Sequence, residues 1–228
     1  MSFTPNRTGN RDVDRNLDDI AKEFRALSTR TQALEDVDQT NDRDISSFRH
    51  TGATLEANYI AGTINCSALT TGAPTANVLR AFPLVAPRRG GTIDRIAINV
   101  TTAVAGNAIV GIYDSLDHPS KLYPGRLLEG SSSISTGSTG IKSLALSRSL
   151  TGGALYWLVH VGSAAPTLRC CPVGAMSPVL GLGSALGTAP SVGISVAHTF
   201  AALPAIFPIG GAYITAVPIP AIAARFSA

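Results

Sequence analysis

The stretch TIDRIAINVT, residues 92–101, decides the fold class of most of this chain. Its side chains alternate between two faces of an extended backbone, with Asp94, Ile96, Ile98 and Val100 on one face and Ile93, Arg95, Ala97 and Asn99 on the other. The first face is the better candidate for a core because its last three members are all apolar. The pattern predicts a half-buried β-strand.

Short segments of the same kind recur through the rest of the chain, each bounded by Gly, Pro, Ser or Asp. They lie at residues 58–64, 78–85, 107–113, 126–132, 141–146, 154–161, 191–197 and 212–217, with a turn cluster predicted at 70–74. No helical pattern separates them. This arrangement predicts an antiparallel β-sandwich, and the form that we favour is a jelly roll.

The N-terminal segment has a helical period instead. A seam with 4-3 spacing contains six apolar residues and one threonine: Val13, Leu17, Ile20, Phe24, Leu27, Thr31 and Leu34. This spacing predicts a parallel coiled coil, and the bulky Ile20 and Phe24 favour three strands over two. The alternative is an amphipathic helix packed on its own domain. The polar run 36–44 after the seam argues against that alternative.

Charge is distributed very unevenly along the chain. Residues 1–50 carry 18 of the 33 charged side chains, and the 78 residues from Thr151 onward carry only Arg169 and Arg225. Because exposed surfaces normally intersperse charges, we expect much of the second half to be buried between subunits. The net charge of +3 is too weak and dispersed to predict nucleic-acid binding.

The uncharged stretch 170–224 could suggest a membrane segment. It contains seven prolines and seven glycines, which a spanning helix of about 20 residues would not tolerate, so no membrane insertion is expected. The polar N-terminus predicts no secretory signal and a product released in the cytoplasm.

The helical seam and the strand pattern together predict how the chain is divided. We expect an anchor peptide (1–10), a coiled-coil stalk with a collar (11–52) and a β-sandwich head (53–228).

Several runs within residues 58–228 resemble the C-terminal β-sandwich of tailed-bacteriophage virion proteins. The runs are Leu79–Arg88, Ile93–Thr102, Val110–Asp114, Leu155–Leu158, Leu168–Arg169 and Tyr213–Phe226. The resemblance implies a structural or adhesive part of a phage particle, assembled in the host cytoplasm and commonly trimeric. It leaves open a tail or baseplate fibre, a head fibre and a capsid decoration protein. It also implies that residues 1–10 bind another virion protein.

Candidate chemical sites are few. Asp114 and Asp117, with His118 nearby, could hold Ca²⁺, but they lack EF-hand spacing and Asp is a common turn former. No catalytic or cofactor-binding residue is predicted, because no serine-nucleophile elbow is present and residues 151–228 contain no carboxylate. A sugar-cleaving depolymerase is the least favoured alternative.

Most other polar and aromatic residues are expected to have structural roles. Cys170 and Cys171 are expected to be buried thiols, with no disulfide framework, and His160 a satisfied core or interface histidine. Trp157 is expected to fill the core. Tyr123, between Leu122 and Pro124 in a long loop, is the predicted exposed receptor contact, either to a host polysaccharide or to a host protein.

Overall fold

The computed structural model describes residues 19–31, 59–61, 68–86, 90–116, 122–173 and 191–227. The chain divides into two compact units, Met1–Thr51 and Gly52–Ala228. In the first unit, residues 19–31 form helix α1. This segment contains no Gly or Pro, and residues 21–27 are mostly strong helix formers.

The second unit is built from short strands. Their bounds are β1 (Tyr59–Ala61), β2 (Thr70–Gly72), β3 (Val78–Val85), β4 (Gly91–Thr102), β5 (Asn107–Leu116), β6 (Tyr123–Gly130), β7 (Ile134–Ser135), β8 (Gly140–Leu150), β9 (Leu155–Gly162), β10 (Thr167–Cys171), β11 (Gly193–Ala197), β12 (Ala212–Ile214), β13 (Ile219–Pro220) and β14 (Ala223–Phe226). The mainly β prediction is confirmed. The turn predicted at residues 70–74 is partly wrong, because Thr70–Gly72 pairs with β10 as a strand.

The strands form two antiparallel sheets. Sheet I contains β1, β2, β4, β8, β10, β13 and β14, and sheet II contains β3, β5, β6, β7, β9, β11 and β12. In sheet I, β4 is central, since Ile96 pairs with Leu144 of β8 on one side and with Ala224 of β14 on the other. In sheet II, β9 is central, between β3 and β5.

Two separate hydrophobic clusters stabilise this unit. The first lies between the sheets and joins residues such as Phe82 and Leu158 of sheet II to Ile96 and Ile98 of sheet I. The second lies on the opposite face of sheet II, where Trp157 packs with residues of the segment 198–211. We call residues 198–211 the cover segment. Strand β9 is therefore buried on both faces, which explains its nearly continuous apolar sequence.

The face assignment predicted for β4 is wrong at its start. The pairing of β4 with β14 shifts register here, because the three residues Ile93–Arg95 lie opposite only Arg225 and Phe226, which marks a β-bulge on β4. The bulge places Ile93, which is fully buried, in the inter-sheet cluster together with Ile96 and Ile98. Asp94 is only half-buried and pairs with Arg225. One extra residue therefore reverses the alternation that a regular strand would have.

Candidate self-association and contact surfaces

Helix α1 displays an apolar stripe along one side. Ile20, Phe24 and Leu27 are 54%, 47% and 59% exposed, and their spacing places them above one another on a helix. Such residues normally lie against a partner, so this stripe is the strongest candidate for self-association. Val13, Leu17 and Leu34 of the predicted seam lie outside the described residues, as do residues 1–10.

The seam's one polar member is accommodated by the helix itself. The Thr31 hydroxyl donates to the carbonyl oxygen of Leu27 at 3.0 Å, which satisfies its donor without help from another chain. On the same helix, Lys22 pairs with Asp19 at 3.2 Å. Both of those side chains are well exposed, so the pair adds little stability.

Tyr123 is not the exposed residue that the sequence predicted. It is only 8% exposed and lies at the start of β6, where its hydroxyl donates to the Pro208 carbonyl oxygen at 2.7 Å. The Tyr123 hydroxyl oxygen in turn accepts the Gly211 backbone N–H at 2.9 Å. The Tyr123 ring therefore packs against the cover segment and does not form an exposed receptor surface.

The cover segment is held by a second tyrosine as well. The Tyr113 hydroxyl donates to the Pro204 carbonyl oxygen at 2.5 Å, and burial raises the pKa of Tyr113. Phe207 lies edge-on against both tyrosine rings, with centroid distances of 5.6 Å to Tyr113 and 5.7 Å to Tyr123. These are favourable aromatic geometries, so the two tyrosines act as anchors of the fold.

The predicted core role of Trp157 is confirmed, since its side chain is fully buried beneath the cover segment. His160 is also fully buried, but neither of its ring nitrogens has a hydrogen-bond partner among the described residues. The expected burial of His160 is therefore confirmed, but the expected hydrogen bonding of its ring nitrogens is not.

The cysteine prediction is correct for one residue and wrong for the other. Cys170 is a buried free thiol, and burial raises its pKa to about 11. Cys171 is disulfide-bonded. The sequence offered no spacing signal for this bond.

Two carboxylates of the β unit are engaged with arginines. Asp94 receives the Arg225 Nε at 2.8 Å and its Nη2 at 2.6 Å. Asp114 accepts the backbone N–H of Arg126 and lies 3.6 Å from the Arg126 side chain. The described residues hold no cluster of three metal-ligating side chains, and Asp117 and His118 lie outside them.

The described sheets also form an exposed concavity. A shallow pocket of about 420 Å³ lies where β7 and β8 approach, lined by Ser133, Ile134, Ser135, Ile141, Lys142, Ser143 and Leu144. The Lys142 ammonium already donates to the Ser138 hydroxyl at 2.6 Å. The lining mixes hydroxyl and aliphatic groups and does not select one ligand. No sequence pattern in this serine-rich run predicts a site.

Comparison of the chain with models of known protein families and with curated proteins found no match. Within the described part of the chain, no helix has both the length and the apolar character required to cross a membrane.

Proposed function

We propose that this protein is a noncatalytic structural component of a bacteriophage particle, a homotrimeric tail or baseplate fibre that contacts the host surface. The observation that carries the proposal is the exposed stripe of Ile20, Phe24 and Leu27 on α1. A stripe with this spacing fits a parallel coiled coil, which would join three β heads at one end. The head in this proposal is a jelly roll.

The trimeric state suits host contact. Three identical heads on one stalk present three equal binding surfaces, so weak individual contacts add into avidity. The stalk would also place residues 1–10 of all three chains together, where another virion protein could hold them.

The engaged carboxylates support a noncatalytic head. Hydrolysis of a sugar bond requires two carboxyl groups that can face a substrate. Asp94 and Asp114 instead hold Arg225 and Arg126, and each pair connects separate strands. These are structural uses of two of the three carboxylates that the described sheets provide; the third is Glu129 of β6.

Sedimentation equilibrium of the full chain tests the assembly. We expect a trimer in the micromolar range, and weaker association in the double variant Ile20→Asp and Leu27→Asp. The matched control, Ala26→Asp and Thr29→Asp, adds the same charge to exposed positions off the seam. A parent protein that sediments as a monomer or dimer contradicts the trimer. Equal effects of the two double variants contradict the seam.

The position in the particle needs a separate experiment. Phage particles labelled with antibody against residues 53–228 should show label on the tail or baseplate. Label on the capsid alone would replace the fibre with a head fibre or decoration protein. Release of reducing sugar from host polysaccharide by the purified protein would replace it with a depolymerase.

A further inference from the structure

A pair of basic side chains lies in the interior of the β unit. His160 of β9 is directly opposite Arg80 of β3 across the antiparallel ladder, and Val110 of β5 is its partner on the other side. His160 is 0% exposed and Arg80 is 6% exposed. Adjacent paired residues project to the same face of a sheet, so the two basic groups share one buried environment.

The hydrogen-bonding of the two residues differs. Arg80 donates from Nη1 to the Thr75 carbonyl oxygen at 3.1 Å, and a guanidinium keeps its charge in proteins. His160 has no partner for either Nδ1 or Nε2 among the described residues. A buried imidazole with no partner is costly even when neutral, and its cation would be costlier still.

Among the described residues that surround the pair, none offers a compensating negative charge. Cys170 of β10 interacts electrostatically with Arg80, but burial keeps it a neutral thiol, bonded to the Gly72 carbonyl oxygen at 3.7 Å. The β5 neighbour is the apolar Val110, and β2 carries no ionisable side chain. The pKa of His160 is lowered to about 3, first by burial and then by the charge of Arg80.

We propose that the Arg80–His160 pair is an acid-sensitive switch in the core of the β unit: when His160 takes up a proton, the contact between β3 and β9 is lost and the unit unfolds. In neutral solution His160 is uncharged and the ladder is closed. In mild acid the proton binds only where the histidine reaches water. Acid therefore favours the unfolded state. The switch does not depend on the proposed function.

The direction of the effect follows from proton linkage. The unfolded state binds a proton below about pH 6.5, whereas the folded state binds one only near pH 3. The stability that neutral His160 contributes is fully present above about pH 6.5 and is lost as the pH falls toward about 3. Between pH 7.5 and 4.5 one such group raises the unfolding equilibrium constant by roughly 90-fold.

Urea titrations of the full chain test this, with fluorescence of Trp157, the single tryptophan, as the readout. The parent protein is compared with His160→Leu at pH 7.5, 6.5, 5.5 and 4.5. We expect the ratio of their unfolding constants to rise by roughly 90-fold over this range, since all other titrating groups are common to both. Val161→Ala, a buried neighbour on β9, should weaken folding by the same factor at every pH.

A ratio that changes less than threefold would overturn the proposal, and so would an equal pH dependence in the Val161→Ala comparison. If His160→Leu does not fold, the parent protein still decides the question. Its histidine ring resonances can be followed by NMR from pH 7.5 to 4.5. The proposal expects the His160 ring to stay neutral while the protein is folded, and titration near pH 6.5 in the folded state overturns it.

Discussion

Asn77 ties the cover segment to sheet II, and replacing it offers a sharp test of how that segment is held. Its φ angle is 57°, in the left-handed region that few residues other than Gly adopt easily. Its side-chain oxygen accepts the Phe200 backbone N–H at 2.8 Å. Its carbonyl oxygen accepts the His198 N–H at 3.0 Å. One residue thus joins a strained turn to the start of the cover segment.

Two costs can be separated at this position. The hydrogen bond to Phe200 lies at an exposed site, so we assign it about 0.5 kcal/mol, the lower end of the usual range. The left-handed conformation costs an alanine about 1–2 kcal/mol and costs a glycine nothing. Glycine loses about 0.5 kcal/mol through the greater freedom of its unfolded chain. The free energy of unfolding should therefore fall by about 2 kcal/mol in Asn77→Ala and by about 1 kcal/mol in Asn77→Gly.

Urea denaturation at neutral pH measures both variants, with an unchanged m-value as the check on two-state unfolding. Asn77→Asp is the matched control, because it keeps an oxygen acceptor and tolerates the same φ angle; its stability should stay within about 0.5 kcal/mol of the parent. Hydrogen exchange at the Phe200 amide should accelerate in the Ala and Gly variants and remain protected in the Asp variant. Equal losses for Ala and Gly, or unchanged exchange at Phe200, would refute the reasoning.

Three further outcomes are expected. Phe207→Ala should lower the free energy of unfolding, measured in urea, by about 3–5 kcal/mol, because the large buried ring of the cover segment is lost. The Trp157 emission should shift to longer wavelength, and unchanged emission would contradict this. Hydrogen bonds from Arg225 hold the pKa of Asp94 below its usual value, so Asp94→Asn should lose about 1 kcal/mol at neutral pH. That difference should shrink as acid protonates the parent's carboxylate, and a difference that grows instead would refute it. Cys170 should resist iodoacetamide at pH 8 until the protein is unfolded, as measured by peptide mass spectrometry.

Local patterns in the sequence were enough to locate most of the strands. The alternation at residues 92–101 and the apolar run at 154–161 predicted β4 and β9 to within a few residues, because strand formation depends on the faces that neighbouring side chains present. The helical period of the seam from Val13 to Leu34 similarly predicted a helix, of which the structure describes α1 at residues 19–31. The bulge at Ile93–Arg95 was not predictable, since its cause lies in the pairing with β14 and leaves no mark in the alternation itself.

The error at Tyr123 has a different origin. The residue lies between Leu122 and Pro124, which suggested an exposed loop, but its burial is imposed by Pro208 and Gly211. These partners are more than 80 positions away along the chain. A long-range contact of this kind can be read only after the chain path across sheet II is known. His160 is a comparable case, because its buried neighbour Arg80 lies on another strand, 80 positions away.

The scarcity of charge after Thr151 now has two distinct explanations. Part of this region is buried within its own chain, because Phe207 and its neighbours in the cover segment close the outer face of sheet II, where a charge would be costly. The same region leaves other apolar side chains in solvent, with Ile206 62% and Ile209 89% exposed. Intrachain packing accounts for the first set and not for the second. The second set is what the proposed trimer would need to cover, and so is the exposed stripe of Ile20, Phe24 and Leu27 on α1.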